Sequence, residues 1–287
     1  VGGALVLAGW WSPVSLLVVF QNGSIACGIV LAATGLGLWI VRALRLQDVE
    51  VRWQLLLAAG LGLGAIGLLM LGLGLAGVMN RSIWLGLLAA GLVSGYWPAR
   101  RLVRSTGADD EERPGHSGWY WFWLVAAGFG GLALVAATFP PGILWPAEGN
   151  GYDVLEYHLG VPREHFEAGR IDYLPHNLYS NFPFNVEMLY LLTIVLHGEP
   201  LDAVFTAQML NVLLGVLAVA AIWLAGREFG RIAGLVAGLA AATCPFLTYL
   251  CGVAYVENGM LFWTALALAT TIRAGRSPAA SGRWWLA

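Results

Sequence analysis

Apolar residues dominate the chain in long runs broken by short polar segments. The runs lie near 4–20, 24–41, 55–78, 82–97, 118–138, 204–225, 232–250 and 254–272, and a membrane-spanning helix needs about 17 to 25 such residues. The pattern predicts an all-α polytopic membrane protein with about eight transmembrane helices. One stretch does not fit the series. "VEMLYLLTIVLHG" (186–198) is apolar for only about ten residues between Glu187 and His197, which as a helix rises about 15 Å, half of a hydrocarbon core.

Arginine placement decides how that stretch is read, because positive loops stay cytoplasmic. If 187–197 lies along the interface without crossing, Arg42, Arg45, Arg52, Arg100, Arg101, Arg104, Arg113, Arg227, Arg231, Arg273, Arg276 and Arg283 share one side. Arg81, Arg163 and Arg170 then face the other, twelve against three. A crossing would make the split ten against five. The more asymmetric arrangement places 98–117 and 226–231 in the cytoplasm. It leaves 139–203 as one long external loop carrying short interfacial helices, with 251–258 on the same face.

Composition agrees with a membrane protein. Of 287 residues 59% are hydrophobic and 11% charged, with a mean hydropathy of +0.72, whereas soluble domains carry about 25% charged residues. A net charge of -2 offers nothing to nucleic acid. Every basic residue is arginine. Cys27, Cys244 and Cys251 fall within or beside apolar runs and read as small buried hydrophobes, without a disulfide or metal framework. "GLGAIG" (62–67) and "GLGLAG" (72–77) satisfy G-x-G-x-x-G but lie inside an apolar run. A dinucleotide site needs a strand before the glycines, so these read as helix-packing residues. The closing "GRWWLA" looks like the entry to another apolar run, so the protein is expected to continue past Ala287.

The external loop concentrates the ionisable groups: nine of seventeen acidic residues, four of five histidines and two arginines lie in 139–203. Long polar loops carry function more often than packing. Within "GNGYDVLEYHLGVPREHF" (149–166), Asp153 and Glu156 have the spacing of a capping box, so Asp153 read locally is a helix cap. Pro162 suits the first turn of a second short helix and Gly169 its end. The segment 174–185, "LPHNLYSNFPFN", reads as irregular loop. No H-x-x-x-H or H-E-x-x-H pattern marks a metal site, and Ser180 lacks the setting of a nucleophile. The turn "CGVAYVENGM" (251–260) brings Glu257 to the same face, where the two acidic loops can meet.

"YDVLEYHLGVPREHFEAGRIDYLPHNLYSNFPFNVEMLYLL" (152–192), followed by "LAGREFGRIAGLVAGLAAATCPFLTYLCGVAYVENGMLFWTALALA" (224–269), resembles the amino-terminal half of the GT-C glycosyltransferases. The likeness is to the bacterial branch related to protein mannosyltransferases and aminoarabinose lipid A transferases. It spans roughly 118–287 and leaves 1–97 as accessory helices. "GREFGRIAG" (226–234) matches the family's basic turn, and "AYVENGM" its second acidic turn, with Glu257 where Asp is usual. The resemblance implies an inverting transferase that moves a sugar from a polyprenyl-phosphate donor to a lipid, glycan or protein acceptor, in contact with membrane lipids, at the outer face of a bacterial inner (plasma) membrane. It implies Asp153 and Glu257 as catalytic carboxylates, with Glu156, His158, Arg163 and Arg170 as substrate-binding residues. No cofactor is certain, and a divalent cation is left open. Such chemistry needs a carboxylate to take the acceptor's proton and cations to steady the departing phosphate. Two other readings stand beside this one. A transporter would carry ionisable groups inside its spans, and a scaffold would leave the active site to the part beyond Ala287. The transferase reading expects Asp153 and Glu257 to face one cavity, lined by 154–168 and 187–197 and open sideways to lipid.

Overall fold

The structure, a computed structural model, describes residues 13–46, 49–109, 120–141 and 151–276, and among these it is helical without strand. Helix α1 (Pro13–Ala43) runs unbroken through the point where the hydropathy pattern predicts two spans. The polar residues there do not interrupt it because they bond back to the preceding turn: Asn22 Nδ2 donates to the Val18 carbonyl and Ser24 Oγ to that of Phe20. From Pro13 onward the two expected spans are therefore one helix, and residues 4–12 of the first lie outside the described residues.

α2 (Val51–Leu75) and α3 (Arg81–Asp109) pack on α1 through glycines. Gly62 lies directly on the Ala33 backbone, Gly37 on Ala58, and Gly35 between Gly91 and Gly95, so a side chain at any of these seams would collide with main chain. This is close packing by small residues. α3 also continues through Pro98, so the loop expected to begin there is helical as far as Asp109. Proline removes the donor that would bond the carbonyl four residues back, and that carbonyl, of Ser94, accepts from Trp39 Nε1 instead.

α4 (Tyr120–Ala136) precedes a π turn (Val154–His158), α5 (Gly160–Glu167) and a 3-10 turn (Leu178–Asn181). As the sequence predicts, Pro162 lies in the first turn of α5 and Gly169 follows its end at φ +70°. α6 (Asn185–His197) is the short helix expected at 187–197. Every residue from Val186 to Leu196 is buried, enclosed by α2, α3, α5 and α7 (Pro200–Arg227). α8 (Arg231–Ala242) and α9 (Pro245–Cys251) meet at a 56° bend, and α10 (Glu257–Arg276) completes the described chain.

Among the described residues four helices are long and apolar enough to cross a membrane, within Leu16–Ala43, Val51–Leu75, Arg81–Leu102 and Pro200–Arg227, and there are five if the bent α8–α9 pair is one span. The described cysteines are all free, but only Cys251 is buried; Cys27 and Cys244 are exposed, contrary to their reading as interior residues.

Two poles result. At one, Arg52 and Arg227 stack on Trp223, Arg273 on Trp53 and Arg276 on Phe229, while Arg273 pairs with Glu228 at 2.9 Å. At the other, the end of α2 holds the loop after α5, with Ile171 N donating to the Gly74 carbonyl. Glu257 starts α10 and Arg273 lies near its end, a separation of about 24 Å at the α-helical rise.

Candidate functional site

The site begins at Gly151, whose φ of +75° turns the chain into a short helical segment. Its next turn is a π turn, closed by Leu159 N donating to the Val154 carbonyl. One extra residue per turn shifts the side chains out of α register, a distortion frequent at functional sites. Asp153 and Tyr157 fall on one face, and His158 turns inward to 4% exposure.

Asp153 precedes this turn but makes no capping hydrogen bond, and its backbone is already helical at φ -61°, ψ -37°. The cap reading is therefore corrected: a capping residue needs an extended backbone that aims its side chain at free amides. Asp153 instead acts on the Tyr157 phenol, four residues on in the same turn, through its charge. Burial first, then Asp153, Glu257 and Glu187, push the Tyr157 phenol far above its ordinary value, so it stays protonated. The Asp153 turn and the Glu257 turn, 104 residues apart, pack together where the His158 ring meets the edge of Tyr255, and the charges of both carboxylates bear on Tyr157.

The irregular loop supplies the platform. Tyr157 stacks on Tyr179 at 4.8 Å between ring centres and meets the edge of Phe182 at 6.3 Å. Asn177 fixes Tyr179 by accepting from its amide, and its Nδ2 donates to the Glu156 carbonyl. Glu156 itself is half-buried and its charge raises the exposed Tyr152 phenol.

Beneath the platform, His158 Nδ1 lies 2.8 Å from Glu187 Oε1, both side chains 5% exposed. The ring is flanked by Tyr157 at 4.1 Å and by the edge of Tyr255 at 5.4 Å. Glu187 Oε2 is buried without a partner. Tyr255 and Glu257 belong to a turn pinned from two sides. The Tyr190 hydroxyl donates to the Tyr255 carbonyl, and Asn211 Nδ2 donates to the carbonyls of Leu250 and Val253. Asn258, next to Glu257, donates to the Asn211 carbonyl. Glu257 itself is exposed at the start of α10.

The arginines stand apart. Arg163 pairs with Glu167 one turn along α5 at 3.5 Å, and Arg170 with Asp172 at 3.3 Å, all four side chains more than half exposed. Among the described residues no arginine pairs with Asp153, Glu156, Glu187 or Glu257. Arg163 does line a small hollow of 80 Å³ between α5, α6 and the start of α7, with Leu155, Leu159 and Ile194. That hollow contains neither Asp153 nor Glu257, so it is not the shared cavity the sequence predicts. No group of three His, Cys, Asp or Glu among the described residues is arranged to hold a metal ion, so the divalent cation left open by the resemblance finds no such cradle there.

Sequence reasoning placed Asp153, Glu156, His158 and Glu257 in this neighbourhood. It passed over Glu187, Tyr157 and Tyr255. The available signal was Glu187 itself, a lone carboxylate in the first turn of an otherwise apolar helix. Comparison with protein-family models, curated proteins and solved structures finds no match to the chain.

Proposed function

We propose that the protein is a membrane glycosyltransferase of the GT-C type, moving a sugar from a polyprenyl-phosphate donor to an acceptor at the outer face of a bacterial inner membrane. The observation that carries this reading is the packing of the Asp153 turn on the Glu257 turn, through His158 and Tyr255, at the end of an apolar helical bundle opposite the cluster of Arg52, Arg227 and Arg273. A lipid-linked sugar presents its reactive carbon at the membrane surface, and a carboxylate pair held there is placed to meet it.

In the reaction an acceptor hydroxyl oxygen attacks the anomeric carbon. The bond from that carbon to the phosphate oxygen breaks, its electron pair leaves with the phosphate, and Asp153 takes the hydroxyl proton. Tyr157, held protonated, keeps a hydroxyl donor beside Asp153. Glu257, on the opposite wall, orients the sugar or acceptor hydroxyls.

The same reading takes 139–203 and 251–258 as external and counts α1 as one crossing. It also takes α4 and α10, which lie beyond the five candidate spans, as crossings, so that the described chain crosses seven times: α1, α2, α3, α4, α7, the α8–α9 pair and α10. A transporter reading is less favoured because the buried polar side chains of the long helices, Asn22, Thr206, Gln208 and Asn211, are all neutral. The test is transfer of label from a polyprenyl-phosphate sugar in membranes expressing the full-length gene. Transfer that depends on Asp153 supports the proposal, and transfer indifferent to it leaves a scaffold.

A further inference from the structure

The donor of the proposed reaction brings a phosphate to the place where the Asp153 turn packs on the Glu257 turn, above the buried Glu187, and the charges of all three carboxylates bear on Tyr157. Like charges repel, most strongly beside the buried carboxylate, so the phosphate needs a cationic donor within the cluster. Arg163 and Arg170, the residues first expected to fill that role, are spent on exposed pairs with Glu167 and Asp172. Of the basic side chains described, His158 alone joins the carboxylate cluster, through Glu187.

His158 is also built for one task. Glu187 Oε1 fixes Nδ1, and Tyr157 and Tyr255 hold the ring from two sides. Nε2 makes no hydrogen bond to a described residue, and it is not sealed from the surface as Glu187 Oε2 is. A histidine whose one nitrogen is held by a carboxylate presents the other in a set direction. Glu187, 3% exposed and with its second oxygen unpartnered, has no packing reason to be charged in an otherwise apolar helix.

We propose that His158 is the phosphate contact of the lipid-linked donor, and that Glu187 is its positioning residue. This deepens the transferase reading and rests on it. With Nδ1–H given to Glu187, a second proton on Nε2 makes the ring an imidazolium between the buried carboxylate and the phosphate. As the anomeric carbon leaves, the phosphate oxygen that gains the electron pair accepts a hydrogen bond from Nε2–H. The acceptor's proton goes to Asp153, so no further reactant is required.

The test uses the purified full chain and two probes, farnesyl phosphate and its uncharged alcohol farnesol, with affinity read from intrinsic tryptophan fluorescence. A merely structural residue alters both affinities together, whereas a phosphate contact alters only their ratio. The wild-type protein is expected to prefer the phosphate by about tenfold or more, the size of one charge-assisted hydrogen bond. His158→Gln is expected to bring the two probes to within about threefold, and Glu187→Gln, which keeps the shape but not the charge, to lose part of the preference. The double variant Arg163→Gln/Arg170→Gln, changed only at the exposed surface, should keep it. Retention of the wild-type ratio in folded His158→Gln, or its loss in the arginine double variant, overturns the proposal and leaves the transferase reading intact. A wild-type protein with no preference for the phosphate overturns both.

Discussion

The two poles of the bundle handle charge in opposite ways. At the arginine pole Arg52, Arg227, Arg273 and Arg276 lie on aromatic rings, and Glu50 and Glu228 lie among the guanidinium groups, Glu228 with Arg273 at 2.9 Å and Glu50 with Arg227 at 4.0 Å. That pole is cationic, with four arginines around two carboxylates. At the other, the charges of three carboxylates bear on one tyrosine, and one of them, Glu187, is held by a buried histidine. Each pole leaves a buried polar atom without a hydrogen-bond partner, Arg227 Nη1 at the first and Glu187 Oε2 at the second, so what separates them is the sign of the group each can still meet.

The sharpest way to break this comparison is to ask whether the poles lie on opposite sides of a membrane. In a chain with Cys27 and Cys244 replaced by Ser, Asp172→Cys should label with an impermeant maleimide from outside intact cells, and Arg231→Cys only after the membrane is opened. Labelling of both from one side would end the membrane arrangement.

Stability separates the poles next. His158→Ala strands the Glu187 carboxylate in the interior, and breaking such a buried pair costs about 3 kcal/mol or more. It should lower the unfolding midpoint in denaturant well beyond any change at the arginine pole. Glu228→Gln, which opens a pair whose arginine is partly exposed, should cost about 1 kcal/mol or less. Comparable losses at the two would show that the poles do not differ in the way described.

Tyr157→Phe keeps the ring stack on Tyr179 and removes only the hydroxyl on which the Asp153 charge bears. Loss of this protonated donor beside the base should slow transfer by about tenfold with little change in stability.

The smallest effect is that of pH on α5. Burial holds the His165 imidazole below its ordinary value, against the opposing pull of Glu164 and Asp172, and its Nδ1 is buried without a partner. The folded state therefore favours the neutral ring. Its contribution is present above the ordinary imidazole value of about 6.5 and is lost as pH falls through that value toward the lowered one. Thermal unfolding should show the midpoint falling between neutral pH and pH about 5, with a shallower fall in His165→Leu. His197, lowered mainly by burial, supplies the remainder.

Much of the fold was legible because hydropathy and glycine placement act locally. The glycines of "GLGAIG" read as packing, and Gly62 does rest on the Ala33 backbone. The short run at 186–198 read as a helix, which α6 is. What failed depended on partners far away in sequence. The polar step at Gln21–Ser24 looked like a break because its back-bonds to Val18 and Phe20 cannot be seen in hydropathy. Pro98 looked like a stop, and only the arrival of Trp39 at the freed Ser94 carbonyl lets the helix continue. Asp153 had the spacing of a cap, but the π turn changes the register on which that spacing depends. Glu187 looked like the polar edge of an apolar helix until His158, 29 residues earlier, was found against it.

The central claim is that Asp153 serves chemistry, not the start of a helix. Asp153→Asn in the full-length protein tests it most directly, because Asn caps helices as well as Asp does but cannot take a proton at neutral pH. Transfer from a polyprenyl-phosphate sugar should fall by about a hundredfold or more, the usual share of general-base catalysis, while the protein accumulates in membranes at the wild-type level and Glu156→Gln loses much less. Wild-type transfer by the Asp153→Asn protein would contradict the account.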